Sequence, residues 1–217
     1  MGAAAQDGRG SGQRIDAVLL DMDGTLVESH AAVERAWAAW CAEYAVDPED
    51  AWPVVHGAPA DRSVRILRPD LDDAGVAQAA ARQLALQYDD LSDVAAAPGA
   101  HDLLAELDRL GLPWAVVTSA DRPLSAARLG AAGIAPPLLV TRDDVAEGKP
   151  APDPYLLASR LLGVAPAACL VVEDAEAGVA SGRAAGMRVA GLAGVPADVA
   201  VRTLGDVVGL LPGRSQA

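Results

Sequence analysis

The chain has 217 residues and carries 30 acidic against 17 basic side chains, a formal net charge of -13. That length accommodates one full domain, or one domain with a smaller insertion, and a field of that sign repels nucleic acid and anionic lipid. Apolar residues make up 52% of the chain but aromatics only 3%, with no Phe, so the core must be built from Ala, Val and Leu, which suits helices packed closely on a sheet.

The first fourteen residues, MGAAAQDGRGSGQR, hold no apolar stretch long enough for a secretory leader, and their Gly, Gln and Ser content reads as disordered. Order is expected from Ile15, where IDAVLL forms a compact apolar run that stops at Asp21, the pattern of a buried parallel strand. From 29 to 93 no strand pattern appears. Ala-rich helical segments there are separated by VDPED, VVHGAP and RPDLDD, which reads as a helical insertion leaving after the first strand and returning near Pro98. Trp37, Trp40, Tyr44 and Trp52 are expected to pack its interior.

Beyond it, helix and strand patterns alternate. HDLLAELDRLG, RPLSAARLGAAG, DPYLLASRLLG and AEAGVASGRAAG space apolar residues at three and four and stop at glycine. WAVVT (114–118), PLLVT (137–141), CLVVE (169–173) and MRVAGL (187–192) have strand length. Such alternation predicts an α/β domain with a mainly parallel sheet, whose ligands sit outside the carboxyl ends of the strands. The expected division is a core over 15–28 and 94–217, a helical cap over 29–93, and a disordered segment 1–14. No apolar run approaches the roughly 18 to 20 residues a membrane helix needs. Cys41 and Cys169 form no CxxC pair and read as small buried hydrophobes.

Four features at predicted strand ends carry chemistry. Asp21 and Asp23 flank Met22 in DMDGT, before Gly24, which permits a turn. Repulsion between such neighbours is relieved by a shared proton or a hard cation such as Mg²⁺, although an Asp-x-Asp-Gly run is also an ordinary turn. Thr118 and Ser119 end the second major strand before a helix, where backbone amides can cradle phosphate, or where they act as simple N-caps. Lys149, in EGKPAPDPY, is the only Lys in the chain. Glu173 and Asp174 end CLVVED and supply a second acidic pair.

Taken in order, DMDGTL, VVTS, GKPAPDPY and VVEDAEAGVASGRAAGM resemble the four signature motifs of the haloacid dehalogenase superfamily, over nearly all of Ile15 to Leu192. The resemblance implies a Rossmann-like parallel sheet core flanked by helices, with a small helical cap inserted after the first strand. It implies that Asp21 is the nucleophile taking the phosphoryl group, and that Asp23 protonates the leaving alcohol and then activates water. Thr118, the Ser119 amide and Lys149 would hold the transferring oxygens. Asp21, the Asp23 carbonyl and Asp174, with Glu173 alongside, would hold Mg²⁺. The implied partner is a small phosphorylated metabolite, with no nucleic acid or membrane, in a cytoplasmic monomer or weak homodimer.

Dehalogenases of this superfamily lack the second aspartate of the pair, so Asp23 favours phosphate substrates. β-Phosphoglucomutase-like members tend to carry a cap histidine where Val33 stands and an arginine where Ala60 stands, which counts against a mutase. His56-Gly57, WAVVTSADR and EDAEAGVASGRAAG look similar to glycerol-3-phosphatase and sugar-phosphatase members, in which a cap His-Gly pair precedes an Arg; here Arg62 and Arg65 fall later. His56 is either a substrate contact or structural. Arg62 and Arg65 serve a substrate's polar end or a solvated face, and Arg122 faces the site or solvent. His30 and His101 read as surface or capping residues. The leading expectation is a Mg²⁺-dependent phosphatase acting on a small phosphorylated polyol or sugar. The alternatives are a sugar-phosphate mutase and a non-catalytic binding module on the same fold.

Overall fold

The computed structural model describes residues 14–55, 60–88 and 90–213. His56 and Gly57 lie outside the described residues, as do 1–13 of the N-terminal segment.

The core is a six-stranded, fully parallel sheet. Its strands are β1 (Ala17–Leu20), β4 (Trp114–Val117), β5 (Leu139–Val140), β6 (Cys169–Glu173), β7 (Arg188–Gly191) and β8 (Val199–Ala200), in the order β5-β4-β1-β6-β7-β8. Strand β1 lies between β4 and β6, with Leu20 opposite Val116 on one side and Val172 on the other. This register brings the carboxyl ends of β1, β4 and β6 level, and so brings Asp21, Thr118 and Asp174 to one edge.

Both sheet faces are covered, which explains the unbroken apolar runs. Side chains alternate along a strand, so Val18, Leu20, Trp114, Val116, Leu170 and Val172 enter one buried cluster. Ala17, Leu19, Ala115, Val117, Cys169 and Val171 enter the other. The first face is covered by α5 (Ala100–Leu110) with Leu103 and Leu107, α6 (Arg122–Ala131) with Leu129, and α9 (Leu204–Val208) with Leu204 and Val207. The second is covered by α7 (Asp153–Leu162) with Tyr155 and Ala158, and α8 (Glu176–Ala184) with Val179. Helix ends follow local chemistry: Asp121 accepts from the Leu124 amide at the start of α6, and Gly163 ends α7 at φ 69.

Between β1 and α5, the helices α1 (His30–Tyr44), α2 (Pro48–Val55), α3 (Ala60–Leu67) and α4 (Asp73–Leu86) share a separate apolar cluster. Trp40 is fully buried within it, stacked on Tyr44 with ring centroids 4.5 Å apart, and its indole N–H donates to the Ala79 carbonyl at 2.9 Å. Trp37 meets Trp40 edge-on at 5.3 Å. At the base of this unit β2 (Val27–Glu28) pairs antiparallel with β3 (Ala95–Ala96), tying the outgoing and returning connections together. Arg35 on the outgoing helix adds an exposed ion pair to Asp93 on the return, at 2.5 Å.

The short elements β2, β3, β8 and α9 go beyond the sequence pattern. Two-residue strands carry no period, and α9 is set by a capping box, in which Thr203 accepts from the Asp206 amide and Asp206 accepts from the Thr203 amide.

Candidate active site

Asp21 follows the last residue of β1, and its amide donates to the Val172 carbonyl at 3.0 Å, which fixes it to the end of β6. The chain then turns sharply through Gly24 at φ 80. A side chain on Gly24 would collide with Asp174: an ideal Cβ would sit 2.1 Å from Asp174 Oδ2. The turn thus needs glycine for its backbone conformation and for the close approach. Thr25, one residue on, donates through its hydroxyl to Asp174 Oδ1 at 3.3 Å.

Lys149 enters from the loop before α7, and its ammonium is nearly fully buried. It donates to Asp21 Oδ1 at 2.5 Å, Glu173 Oε1 at 2.6 Å and the Val117 carbonyl at 2.8 Å. An ammonium has three hydrogens, and these acceptors use them all. One side chain thereby joins the ends of β1, β4 and β6. Burial alone would push the Lys149 ammonium below its ordinary value, but Asp21 and Glu173 more than offset this and leave it raised. It therefore stays charged.

Glu173 is buried, and its Oε1 also accepts from the Tyr155 hydroxyl at 2.6 Å. Burial first, and Glu173 next, push the Tyr155 phenol well up, so it remains a donor. Room for the Glu173 carboxylate exists because α8 has Gly178 beneath it: an ideal Cβ there would lie 1.8 Å from Glu173 Oε1.

Among the described residues, ligand oxygens of Asp21, Glu173 and Asp174 lie within 4.8 Å of one another, a grouping able to hold a metal ion. Three carboxylates facing one ammonium leave excess negative charge in a poorly hydrated place. Burial raises the Asp21 carboxyl well above its usual range, with Lys149 opposing and Glu173 and Asp174 reinforcing the rise. Asp174 is pushed up to about 6, by burial first and by Glu173 next. Hard oxygen donors that resist ionisation until a counter-charge arrives fit a hard divalent cation. Since Glu173 Oε1 is already engaged twice, Glu173 is tied first to Lys149 and Tyr155.

The Asp23 carboxylate points elsewhere and is not part of that grouping. Its Oδ1 accepts from the Ser29 hydroxyl at 2.6 Å, and its Oδ2 from Arg128 at 2.8 Å. Thr118 is buried at the end of β4, its hydroxyl oxygen accepting from the Ala120 amide at 3.1 Å, while Ser119 is exposed beside it. The sheet edge thus gathers Asp21, Asp23, Thr118, Lys149, Glu173 and Asp174.

The other candidates lie in less suggestive places. Arg62 and Arg65 are exposed on α3, and Arg65 pairs with Asp73 at 2.8 Å. Arg122 is engaged by Asp144 at 2.6 Å. His30 and His101 are exposed, and Cys41 and Cys169 are buried and free. Sequence reasoning missed Tyr155, Arg128, Thr25 and Ser29. A signal existed for Arg128: it lies four residues after Leu124 and one before Leu129, on the stripe that α6 buries.

Comparison with known proteins identifies the family. A profile of haloacid dehalogenase-like hydrolases matches residues 15–186. Hexitol phosphatase A of Escherichia coli is 44% identical over 186 residues, covering 85% of this chain and 86% of that protein. The 2-deoxyglucose-6-phosphate phosphatase 1 of Saccharomyces cerevisiae is 34% identical over 199 residues, covering 82% of this chain and 79% of its own. Among solved structures, a variant of CbbY from Rhodobacter sphaeroides in complex with xylulose-(1,5)bisphosphate superposes with a TM-score of 0.74 at 27% identity, covering 91% of this chain and 100% of that one. The chain belongs to the haloacid dehalogenase-like hydrolase family.

Proposed function

We propose that the protein is a Mg²⁺-dependent phosphatase that hydrolyses a small phosphorylated polyol or sugar through a phosphoaspartate on Asp21. The observation that carries this reading is the Lys149 ammonium shared by Asp21 and Glu173, with Asp174 alongside, at the carboxyl edge of the sheet. The names of the hexitol and 2-deoxyglucose-6-phosphate phosphatases that this chain resembles favour a polyol or sugar ester.

In this reading Asp21 and Asp174 hold Mg²⁺ together with the Asp23 carbonyl, and Glu173 orients Lys149. When bound, the ion supplies positive charge to the phosphoryl oxygens and to Asp21. Lys149 fixes one oxygen of Asp21 and offsets part of the cost of its negative charge, leaving the other oxygen to attack phosphorus. The P–O bond to the alcohol breaks as Asp23 gives its proton to the departing oxygen. Asp23, now ionised, takes a proton from the water that attacks the acyl phosphate, which releases inorganic phosphate and restores Asp21. Thr118 and the Ser119 amide contact the phosphoryl oxygens in flight. The helices between β1 and α5 act as a cap over the strand ends.

We place this chemistry in the cytoplasm, where two buried free thiols stay reduced, and in a monomer or weak homodimer. Among the described residues no helix is long and apolar enough to cross a membrane. The test is phosphate release by the purified protein from a panel of hexitol, hexose and triose phosphates. Turnover requiring Mg²⁺ and highest on hexitol or hexose esters supports the reading. No release from any ester in the presence of Mg²⁺ overturns it.

A further inference from the structure

Arg128 is an unusual residue for the inside of a helix-sheet interface. It is 2% exposed, between Leu124 and Leu129 on the buried face of α6. Among the described residues its Nε has no partner, nor does Nε2 of the buried Gln83. A buried guanidinium with an unmet hydrogen-bond donor costs stability that an apolar side chain of similar length would not. Packing therefore does not explain it.

Its two contacts do. One terminal nitrogen donates to Asp23 Oδ2 at 2.8 Å, the other to Gln87 Oε1 at 2.7 Å. Gln87 is the C-terminal cap of α4, where the chain leaves the helical insertion, and its side-chain Nε2 donates to Gln83 Oε1 inside α4 at 2.8 Å. The next residue, Tyr88, donates to Asp121 Oδ1 at 2.7 Å, at the start of the same helix α6. On the other side, Asp23 Oδ1 is held by Ser29, the residue just before α1, where the chain enters the insertion. Both connections to the cap thus reach one carboxylate, the outgoing one through Ser29 directly and the returning one through Arg128.

We propose that Arg128 is a positioning residue that couples the seating of the cap to the aim of Asp23, by bridging the Asp23 carboxylate to Gln87 at the cap's return. The proposal rests on the assignment of Asp23 as the acid that protonates the leaving alcohol. With the cap seated, the bridge holds Oδ2, while the Ser29 hydroxyl at Oδ1, able to accept as well as donate, leaves that oxygen able to carry the proton. Without the bridge, Asp23 keeps one anchor and its rotation is free.

The experiment compares kcat/KM for two esters in wild type, Arg128→Met and Gln87→Leu. This ratio reports steps up to departure of the leaving group and is blind to later hydrolysis of the phosphoaspartate. A hexitol phosphate leaves as an alkoxide and needs the proton, whereas p-nitrophenyl phosphate leaves as a stable phenolate and does not. Arg128→Met should lower kcat/KM on the hexitol ester by about 30-fold to 100-fold and on the aryl ester by less than about 3-fold. Gln87→Leu should show the same discrimination more weakly, and the double variant should fall short of the product of the two losses. Equal losses on both esters, or none on either, would sink the proposal while leaving the phosphatase reading intact. Should Arg128→Met not fold, Gln87→Leu carries the test alone, with the same discrimination expected and an equal effect on both esters as refutation. If wild type turns over neither ester, the phosphatase reading itself fails, and the proposal falls with it.

Discussion

Lys149 Nζ lies 2.5 Å from Asp21 Oδ1, although 128 residues separate them along the chain. The same ammonium reaches Glu173, so one cation is shared by two buried carboxylates. Replacing Lys149 by Met would leave both without their partner in a site that water barely enters. Removing one member of such a buried group costs about 3–5 kcal/mol. Urea denaturation should show that loss, and turnover should fall at least about 100-fold. A variant as stable as wild type would show that the ammonium does not hold the strand ends together.

Gly178 offers a test in which two effects oppose each other. In a helix, Ala is favoured over Gly by up to about 1 kcal/mol. Here an ideal Cβ would lie 1.8 Å from Glu173 Oε1 and 1.9 Å from Glu173 Cδ. The clash should win. Gly178→Ala is expected to destabilise by about 1–3 kcal/mol and to weaken activity through displacement of Glu173 from Lys149. Thermal melts and phosphate release check this, and a more stable, fully active variant would contradict the crowding.

The carboxylate cluster predicts how metal and pH interact. Asp174 is pushed up to about 6 by burial and Glu173, and Asp21 is also raised by burial. Between the ordinary carboxylate range and about 6, the folded metal-free chain binds more protons than the unfolded chain. These groups therefore make stability decline as pH rises through that window. A divalent cation competes with the same protons. The gain in melting temperature on replacing EDTA with Mg²⁺ should thus grow from about pH 5 to about pH 7. A gain that is constant or shrinks over that range would contradict binding at these carboxylates.

Why some of this could be read from residues alone, and some not, has a physical basis. Each major strand is a short apolar run stopped by Asp21, Thr118 or Asp174, and alternation with glycine-terminated helices makes those strands parallel. Their last residues must then share an edge, so the grouping of Asp21, Thr118, Glu173 and Asp174 was legible. Side-chain direction was not. Nothing in DMDGT shows that Asp23 turns toward Ser29 and Arg128 while Asp21 turns toward Lys149. Tyr155 looked like one more apolar residue of α7, because its body packs in the core and only its hydroxyl reaches Glu173. Arg128 was hidden for a different reason: arginines on helices are usually solvated, and only the burial of α6 distinguishes this one.

The central claim is that Asp21 takes the phosphoryl group, and the most direct measurement is acid-quenched mass spectrometry of the protein during turnover of a hexitol phosphate with Mg²⁺. An acid-stabilised adduct of one phosphoryl group on the peptide carrying Asp21 is predicted, absent in Asp21→Asn, whose phosphate release should fall by at least about 1,000-fold. An Asp21→Asn protein that still releases phosphate at the wild-type rate, or an adduct on another residue, would contradict the account.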